Sequence, residues 1–245
     1  MLADTSGPVV LRHFRKALTV DNKASGGAFD PVTKADKGAE KAIAKALKQS
    51  HPDHALIGEE FGTSGNSSYQ WIVDPIDGTR AFIMGSPMWG TLIGLLKDGE
   101  PVLGIMDQPF TGERFWSESK ASYVRVRDGK PRRLKTRATA RLADAIFTTT
   151  HPDMLSGPGA ERALAAMQSA TRMTRFGGDC YNYCLLAAGY IDIIVESGLK
   201  NFDVVALIPI IEGAGGKVTD WDGGPAEAGG GIVAAATPEL HQAAL

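Results

Sequence analysis

The sequence predicts a protein that combines α-helices with β-sheets, with an antiparallel-rich N-terminal half and a mixed sheet in the C-terminal half. In the first half, short apolar runs are separated by turn signals, and residues 91–106 have the pattern of a hairpin. In the second half, strand and helix patterns alternate between residues 145 and 236, which favours an α/β layer. We therefore predict two domains, residues 1–136 and residues 137–245.

Two helices are predicted near the start of the chain. Apolar side chains recur at helical spacing over residues 8–18, and a glycine-rich loop at residues 25–30 follows. Thr33 and Asp36 have the spacing of a capping box, which predicts a second helix that ends near Gln49. Strands are predicted after this helix at residues 55–57, 69–73, 91–96, 101–106, 113–117 and 122–127.

The two halves meet near a basic stretch, Arg125 to Arg137, which we interpret as a solvated hairpin and linker. Cys180 and Cys184 are interpreted as buried small hydrophobic residues of a helix. Pro209 lies inside the last predicted helix and should kink or locally break it. Strands of the second half are predicted at residues 145–149, 172–176, 191–195, 217–219 and 232–236, and helices at residues 160–169, 180–188 and 204–212.

The composition is that of an ordinary globular protein, with 43% hydrophobic and 22% charged residues. A net charge of −2 does not favour nucleic-acid binding, which calls for a basic face. The N-terminus has no signal-peptide pattern, and no apolar run reaches the length of a membrane span. We therefore predict a soluble, cytoplasmic protein that binds neither nucleic acid nor membrane.

The segment Trp71–Thr79 carries the strongest indication of function. An apolar strand delivers Asp74 and Asp77, three residues apart, and Pro75 is expected to end that strand. Gly78 allows the backbone to approach a ligand closely. Two adjacent carboxylates repel each other, and a hard cation such as Mg²⁺, which prefers oxygen ligands, relieves the repulsion. The alternative is an Asp-Pro turn followed by an Asp-Gly turn, formed for local reasons.

Three other acidic positions are candidates for the same site, and each can also be explained by local structure alone. Glu59 and Glu60 follow an apolar run, and the alternative is a solvated acidic pair. Asp203 lies where a helix is predicted to begin, so it could be a plain N-cap, a role that is compatible with metal binding. Asp36 could be only the third residue of its capping box.

Together, the G-E-E segment at residues 58–60, the D-P-I-D-G-T motif at residues 74–79 and the F-D pair at residues 202–203 resemble the inositol monophosphatase superfamily of magnesium-dependent phosphatases. The resemblance extends from residue 31 to residue 216, with the motifs in the family order. One departure is Phe202, where the family usually has Trp. The resemblance implies a layered αβαβα sandwich, a small phosphate monoester as the substrate, and a homodimer.

The resemblance also implies roles for single residues, with two or three Mg²⁺ ions in each site. Asp36 and Thr79 should orient and deprotonate the attacking water, with Glu59 and a weaker third ion assisting. The amides of Gly78 and Thr79 should point at phosphate oxygens. The implied ligands are Glu59, Asp74 and the Ile76 carbonyl for one ion, and Asp74, Asp77 and Asp203 for the second.

Within the superfamily, residues 29–36, 79–93 and 203–210 are similar to the histidinol-phosphatase branch. The inositol-preferring branch more typically has Asn-Phe-Val after its D-G-T. We therefore expect histidinol phosphate as the substrate, which places the protein in histidine biosynthesis. Two other functions stay open: another small-monoester phosphatase, such as an inositol-1-monophosphatase, and a regulatory protein that binds metal or phosphate without turnover.

Histidinol carries an ammonium group and an imidazole near its pKa, so its pocket should present acidic groups. Glu196 lies seven residues before Asp203, a spacing that resembles that of the family's substrate-contacting Glu. Asp179 and Glu196 are the predicted contacts, together with Asp203. The alternative for Asp179 is an N-cap, and the alternative for Glu196 is a solvated strand end. Arg80 is expected either to contact the phosphate or to pair with an acid.

Overall fold

The computed structural model describes residues 1–17, 20–22, 31–155 and 160–245. The predicted glycine-rich loop and Leu18 lie outside these residues, as do residues 29–30 of the stretch that is similar to histidinol phosphatases. In chain order, the first half forms α1 (Leu2–Leu11), β1 (Val20–Asn22), β2 (Pro31–Thr33), α2 (Lys34–Ser50), β3 (Ala55–Gly58), β4 (Gly62–Ser64), β5 (Tyr69–Asp77), α3 (Thr79–Ile83), β6 (Gly90–Lys97), β7 (Glu100–Gln108), β8 (Glu113–Glu118), β9 (Ala121–Val126) and β10 (Arg132–Arg133). The second half forms β11 (Ile146–Thr149), α4 (Ala160–Ala170), β12 (Met173–Phe176), α5 (Asp179–Ala187), β13 (Ile193–Leu199), α6 (Asn201–Val204), α7 (Leu207–Gly213), β14 (Lys217–Asp220), β15 (Gly230–Ala235) and α8 (Pro238–Ala244).

Two large sheets organise these elements. The first has the order β10-β9-β8-β7-β6-β5-β3-β4 and is antiparallel except where β3 runs parallel to β5. The hairpin of β6 and β7 pairs Lys97 with Glu100, as predicted. The second sheet has the order β12-β11-β13-β15-β14 and is mixed, because β11 is parallel to both its neighbours while β15 is antiparallel to β13 and β14.

Helices cover and separate the two sheets, which gives the predicted αβαβα sandwich. Helices α1 and α2 pack on one face of the first sheet, α5 and α7 lie between the sheets, and α4 and α8 pack on the outer face of the second sheet. Along β13, Ile194 joins the central core, whereas Ile193 and Val195 join the outer one. This alternation of side chains is what buries both faces of a strand.

The first helix lies earlier in the chain than its prediction. Helix α1 spans Leu2–Leu11, whereas the prediction began at residue 8, and Pro8 lies inside the helix. The apolar stripe that decides its position includes Leu2 and Ala3, which pack against the second helix and the first sheet. The helix α2 and its capping box are confirmed, since the Thr33 side chain accepts a hydrogen bond from Ala35 and Asp36 accepts one from the Thr33 amide.

The prediction that β5 stops at Pro75 is wrong, because a β-bulge carries the strand past the proline. Asp74 pairs with Leu92 and Asp77 pairs with Gly90, so Pro75 and its neighbour lie opposite a single residue. That residue is Thr91, whose buried hydroxyl donates to the Pro75 carbonyl at 2.8 Å. Proline is tolerated at a bulge because the ladder needs no N–H from it there.

The last predicted helix is two helices, and the break does not fall at Pro209. Helix α6 ends at Val204 and α7 begins at Leu207, so Pro209 occupies the first turn of α7. In a first turn the missing proline N–H would have had no helical partner, which removes the reason for a kink. The helix boundaries also exclude the N-cap alternatives: Asp203 is the third residue of α6, and Asp179 is the first residue of α5 after Gly178.

The basic stretch and the cysteines are as predicted. The stretch is largely exposed and carries the antiparallel pair β9 and β10, while Cys180 and Cys184 are buried and free. Within the described residues, no helix combines the length and the apolar character that crossing a membrane requires. The two sheets are separated by residues 134–145, but α7 packs against β7, β8 and β9, and the division into two domains stays a prediction.

Candidate active site

A cavity of about 250 Å³ lies where the two halves meet. The first half contributes acidic side chains from the end of β5 and from the turn after β3. The second half contributes acidic side chains from β13 and from the starts of α5 and α6. The acidic residues that line the cavity are Glu59, Asp74, Asp77, Asp179, Glu196 and Asp203.

The bulge at the end of β5 folds the backbone into a compact turn. The Asp74 carboxylate, which is buried, accepts a hydrogen bond from the Ile76 amide at 2.9 Å. The Thr79 hydroxyl donates to the Ile76 carbonyl at 3.1 Å. These local bonds bring Asp74, Ile76 and Thr79 to the cavity together, as the motif predicted.

Gly78 is required by the close contact of the two halves. Its φ of 84° is in the left-handed region, and an added Cβ would lie 2.9 Å from the Met88 carbonyl and 3.1 Å from Asp179 Cγ. Only glycine fits both the backbone angle and the space. Asp179 itself has a φ of 44°, an unusual angle for a residue with a side chain.

Three carboxylates converge in the cavity from the two halves. One oxygen each from Asp74, Asp77 and Asp203 lies within 4.8 Å of the others. The amide of Cys180, near the start of α5, donates to Asp77 Oδ1 at 2.9 Å. The Lys200 amide donates to Asp203 Oδ2 at 2.7 Å, which fixes that carboxylate in the first turn of α6.

Burial and mutual repulsion perturb these acids strongly. Burial, together with the charges of Glu59, Asp77 and Asp203, raises the pKa of Asp74 well above its ordinary value. Burial and the charge of Asp203 likewise raise the pKa of Asp77. Burial raises the pKa of Asp203 to about 6, although the hydrogen bond from the Lys200 amide lowers it. A divalent cation would relieve this repulsion, and an all-oxygen carboxylate set fits a hard cation, so the cluster could hold a metal ion.

Glu59 follows β3 in a turn that is held by Glu40, a residue that is not among the predicted site residues. The Glu59 amide donates to the Val73 carbonyl at 3.1 Å, and the next two amides, of Glu60 and Phe61, donate to the carboxylate of Glu40. Glu59 and Glu60 are half-buried, and Glu59 also lines the cavity. Helical spacing could have revealed Glu40, since it shares a face of α2 with buried Asp36 and apolar residues.

Asp36 is buried, but it is not among the described residues that line the cavity. Its Oδ2 accepts from the Thr33 amide at 2.8 Å and from the Thr33 hydroxyl at 2.6 Å. Burial raises the pKa of Asp36 to about 6 against these hydrogen bonds. The structural role in the capping box is therefore present, and the catalytic role remains a prediction.

Glu196 is a buried strand residue, so the interpretation as a solvated strand end is wrong. The Thr150 amide donates to its Oε1 at 2.5 Å, and the Tyr183 hydroxyl donates to its Oε2 at 2.8 Å. Neither partner is predicted from the sequence, although Tyr183 lies one helical turn after Asp179. Burial raises the pKa of Glu196 against these bonds.

Arg80 lies in α3, exposed at the rim of the cavity. Burial and the charge of Glu196 raise the pKa of Asp179 to about 7, while the charge of Arg80 lowers it. Of the two roles predicted for Arg80, the structure places it near an acid. A larger hollow of about 1070 Å³ opens beside the cavity, shares Arg80 and Asp179 with it, and includes the exposed side chains of Met84 and Tyr190.

Comparison with known proteins identifies the family. The model of the inositol monophosphatase family matches residues 1–245. The chain is 40% identical over 256 residues to the bifunctional phosphatase IMPL2, chloroplastic, of Arabidopsis thaliana, covering 100% of this chain and 72% of that protein. It is 34% identical over 219 residues to the histidinol-phosphatase of Mycobacterium tuberculosis, covering 89% of this chain and 83% of that protein. A solved inositol monophosphatase from Zymomonas mobilis superposes with a TM-score of 0.86 at 40% identity, covering 99% of this chain and 92% of that one. The chain therefore belongs to the inositol monophosphatase family, and its described residues build the acidic cavity of a phosphate monoester hydrolase.

Proposed function

We propose that this protein is a magnesium-dependent phosphatase that hydrolyses L-histidinol phosphate to L-histidinol and phosphate. The observation that carries the proposal is the convergence of Asp74, Asp77 and Asp203, whose carboxylate oxygens lie within 4.8 Å of one another. Asp74 is buried and the other two are half-buried, and carboxylates held this close together call for a cation. Phosphoryl transfer is accelerated mainly by positioning and charge neutralisation. The identity of 34% to a protein named histidinol-phosphatase supports the choice of substrate.

The chain offers two adjoining ligand sets for Mg²⁺. Glu59, Asp74 and the Ile76 carbonyl would hold one ion, and Asp74, Asp77 and Asp203 would hold a second, with Asp74 shared; a weaker third ion is part of the proposal. When bound, the ions neutralise charge on the phosphoryl group and on the attacking and leaving oxygens. Every proposed ligand atom is an oxygen, as Mg²⁺ prefers.

Asp36 and Thr79 are the proposed groups that act on the attacking water. The Thr79 hydroxyl donates to the Ile76 carbonyl, so its own lone pairs are free to orient a water molecule. Asp36 Oδ2 accepts two hydrogen bonds from Thr33, and its other oxygen, Oδ1, is the proposed proton acceptor. The water oxygen bonds to phosphorus as the ester P–O bond breaks, and the leaving histidinol oxygen gains a proton.

The amides of Gly78 and Thr79 are proposed to donate to phosphate oxygens. Gly78 is the N-cap of α3 and has a left-handed φ of 84°, which turns the backbone sharply where the phosphate would lie. Helix α3 has five residues, and so short a helix has little dipole of its own. In this proposal α3 therefore only supports the loop, and the amides bind the phosphate.

Three acids are proposed to receive the ammonium and imidazole groups of histidinol: Asp179, Glu196 and Asp203. Asp179 lies at the opening between the cavity and the larger hollow. Glu196 is held by Thr150 and Tyr183, and each of its oxygens keeps a second lone pair for a substrate N–H. A rigidly held carboxylate discriminates a cationic substrate from a neutral one better than a mobile carboxylate does.

The test compares kcat/KM for L-histidinol phosphate and inositol 1-phosphate under the same saturating Mg²⁺. A preference of about a hundredfold for histidinol phosphate corresponds to roughly 2.7 kcal/mol of differential transition-state binding and would support the proposed substrate. Equal values, or a preference for inositol 1-phosphate, would contradict it.

Inositol 1-phosphate is the second candidate substrate. The specific observation in its favour is the solved inositol monophosphatase from Zymomonas mobilis, which is 40% identical to this chain, more than the histidinol-phosphatase of M. tuberculosis. A regulatory protein without turnover would be favoured by the loss of Asp36, Thr79 or a metal ligand, and all of these residues are present in this chain.

A further inference from the structure

Glu40 is a buried acidic residue on α2 that lies outside the cavity lining. Its side chain is 1% exposed, and its carboxylate accepts two hydrogen bonds, from the Glu60 amide to Oε2 at 2.8 Å and from the Phe61 amide to Oε1 at 3.0 Å. Burying a carboxylate costs free energy even when it is hydrogen-bonded, and an apolar residue would pack in a core at lower cost. The hydrogen bonds from the Glu60 and Phe61 amides indicate the role of this carboxylate.

Glu40 fixes the turn that carries Glu59. Three successive amides of this turn are held: Glu59 by the Val73 carbonyl at 3.1 Å, and the next two by Glu40. The first bond ties the turn to the neighbouring strand β5, and the other two tie it to helix α2. The Glu59 amide is therefore anchored to β5, and the backbone that follows Glu59 is anchored to α2.

Gly58 provides the space that the Glu40 carboxylate occupies. A Cβ added at Gly58 would lie 1.9 Å from Glu40 Oε1 and 2.2 Å from its Cδ, so the carboxylate fills the place of a side chain. The φ of Gly58 is not in the left-handed region, so the reason for glycine here is this contact. Gly58 and Glu40 together form one unit, which lies directly before Glu59.

We infer that Glu40 is a positioning residue that holds the Glu59 carboxylate in place for metal binding. The inference rests on the proposed role of Glu59 as a Mg²⁺ ligand. Residues behind metal ligands orient them, and substitutions there weaken metal binding without removing a ligand. Each oxygen of Glu40 accepts one amide, and for this reason an amide side chain cannot replace it: Gln has one acceptor, and its NH₂ would face an N–H donor.

The test is calorimetric titration of Mg²⁺ into the metal-free chain and its variants, with the thermal unfolding midpoint in EDTA measured beside it. For Glu40→Gln, we expect the Mg²⁺ dissociation constant to rise about tenfold, the lower end of the range for residues that support metal ligands. Gly58→Ala is expected to act in the same direction, because its Cβ displaces the Glu40 carboxylate without changing any charge. The matched control is Glu113→Gln, another carboxylate-to-amide change, at a residue that accepts a hydrogen bond from Tyr181 outside the cavity lining.

A double-mutant cycle separates positioning from general stability. If Glu40 acts through Glu59, then Glu40→Gln should change the dissociation constant by less than about twofold in a Glu59→Gln background, because coupled residues are not additive. A tenfold effect that persists without Glu59 would overturn the inference. So would a lowered unfolding midpoint with an unchanged dissociation constant, since that is the signature of a purely structural role.

The same titration distinguishes this inference from the proposed function. If the wild-type chain binds Mg²⁺ and Glu40→Gln binds it equally well, the positioning role fails and the phosphatase proposal stands. If the wild-type chain binds no Mg²⁺, both fail.

Discussion

The two halves of the chain bring acidic side chains into one cavity by different means. In the first half, Glu59 and Asp77 lie at irregular strand ends, and side chains that are distant in sequence hold those ends: Glu40 binds the turn after β3, and Thr91 binds the bulge of β5. These partners are buried. The geometry of the first half therefore depends on tertiary contacts.

In the second half, local helix starts place two of the three acids, whereas Glu196 on β13 is held by Tyr183 and by Thr150, which is 46 residues away. Asp203 accepts the amide of Lys200, three residues earlier, and Asp179 is the first residue of α5. Helix starts favour carboxylates because the first amides lack helical partners. Substitutions away from the cavity should therefore disturb the acids of the first half more than Asp179 and Asp203, whose positions depend on local helix starts.

The largest expected effect follows from Asp77, where the two halves meet. It is part of the carboxylate cluster and accepts the Cys180 amide. For Asp77→Asn, we expect kcat/KM to fall by at least about a thousandfold, roughly 4 kcal/mol of transition-state stabilisation, with the fold intact. Phosphate release and circular dichroism measure the two quantities. Asp144→Asn, which changes an exposed acid paired with Arg141, is the control that should retain activity. Near-normal turnover by Asp77→Asn at ordinary Mg²⁺ would contradict the two-metal site.

Thr91 tests whether the first half depends on its distant support. Thr91→Val keeps the shape and leaves the Pro75 carbonyl without its hydroxyl donor, so we expect a loss of about 1–3 kcal/mol in the free energy of unfolding. Because the bulge carries Asp74 and Asp77, activity at limiting Mg²⁺ should also fall. Urea unfolding and a Mg²⁺ titration of activity measure both. Thr63→Val, an exposed change on β4 of the same sheet, is the control. If both variants behave alike, the bulge does not need this bond.

Glu196 tests whether an acid from the second half recognises the charged groups of the substrate. For Glu196→Gln, we expect KM for histidinol phosphate to rise about tenfold, which corresponds to about 1.4 kcal/mol of binding free energy. KM for inositol 1-phosphate should change less. The matched control is Tyr183→Phe, which removes a hydrogen bond to Glu196 but leaves its charge. Steady-state kinetics on both substrates decide the matter. An equal rise for the two esters would remove Glu196 from recognition of the amine.

The smallest expected effect is on stability against pH in the metal-free chain. Burial raises the pKa of Asp179 to about 7 and the pKa of Asp203 to about 6, from an ordinary 3.8. Between pH 4 and 7 the folded chain therefore holds more protons at these groups than the unfolded chain, so their contribution to stability declines as pH rises. Asp179→Asn does not titrate there, and its unfolding midpoint in EDTA should fall less between pH 5 and pH 8 than that of the wild type. Parallel profiles would show that Asp179 does not carry this effect.

How far the sequence predicts the molecule depends on how local each contact is. The capping box of Thr33 and Asp36 spans three residues, and its prediction is confirmed. The end of β5 was placed wrongly because the donor that allows Pro75 in the strand, Thr91, is 16 residues away. Local propensity contains no information on such a partner, since only tertiary packing brings it there.

The same distinction applies to the cavity. The motif at residues 74–79 is sufficient to predict Asp74 and Asp77, and the family pattern adds Asp203 to them. Glu40 was missed, although an acid on the buried face of an amphipathic helix indicates a partner by itself. What that partner is could not be predicted, because the Glu60 and Phe61 amides reach Glu40 across about twenty residues of chain.

The most direct test of the central claim is phosphate release from L-histidinol phosphate by the purified wild-type chain, first with Mg²⁺, then with EDTA, and again after Mg²⁺ is restored. We expect release that EDTA abolishes and Mg²⁺ recovers, because negatively charged carboxylates cannot neutralise a phosphoryl group without a bound cation. Release that continues unchanged in EDTA would contradict the claim that the acidic cavity is a metal site for phosphate hydrolysis.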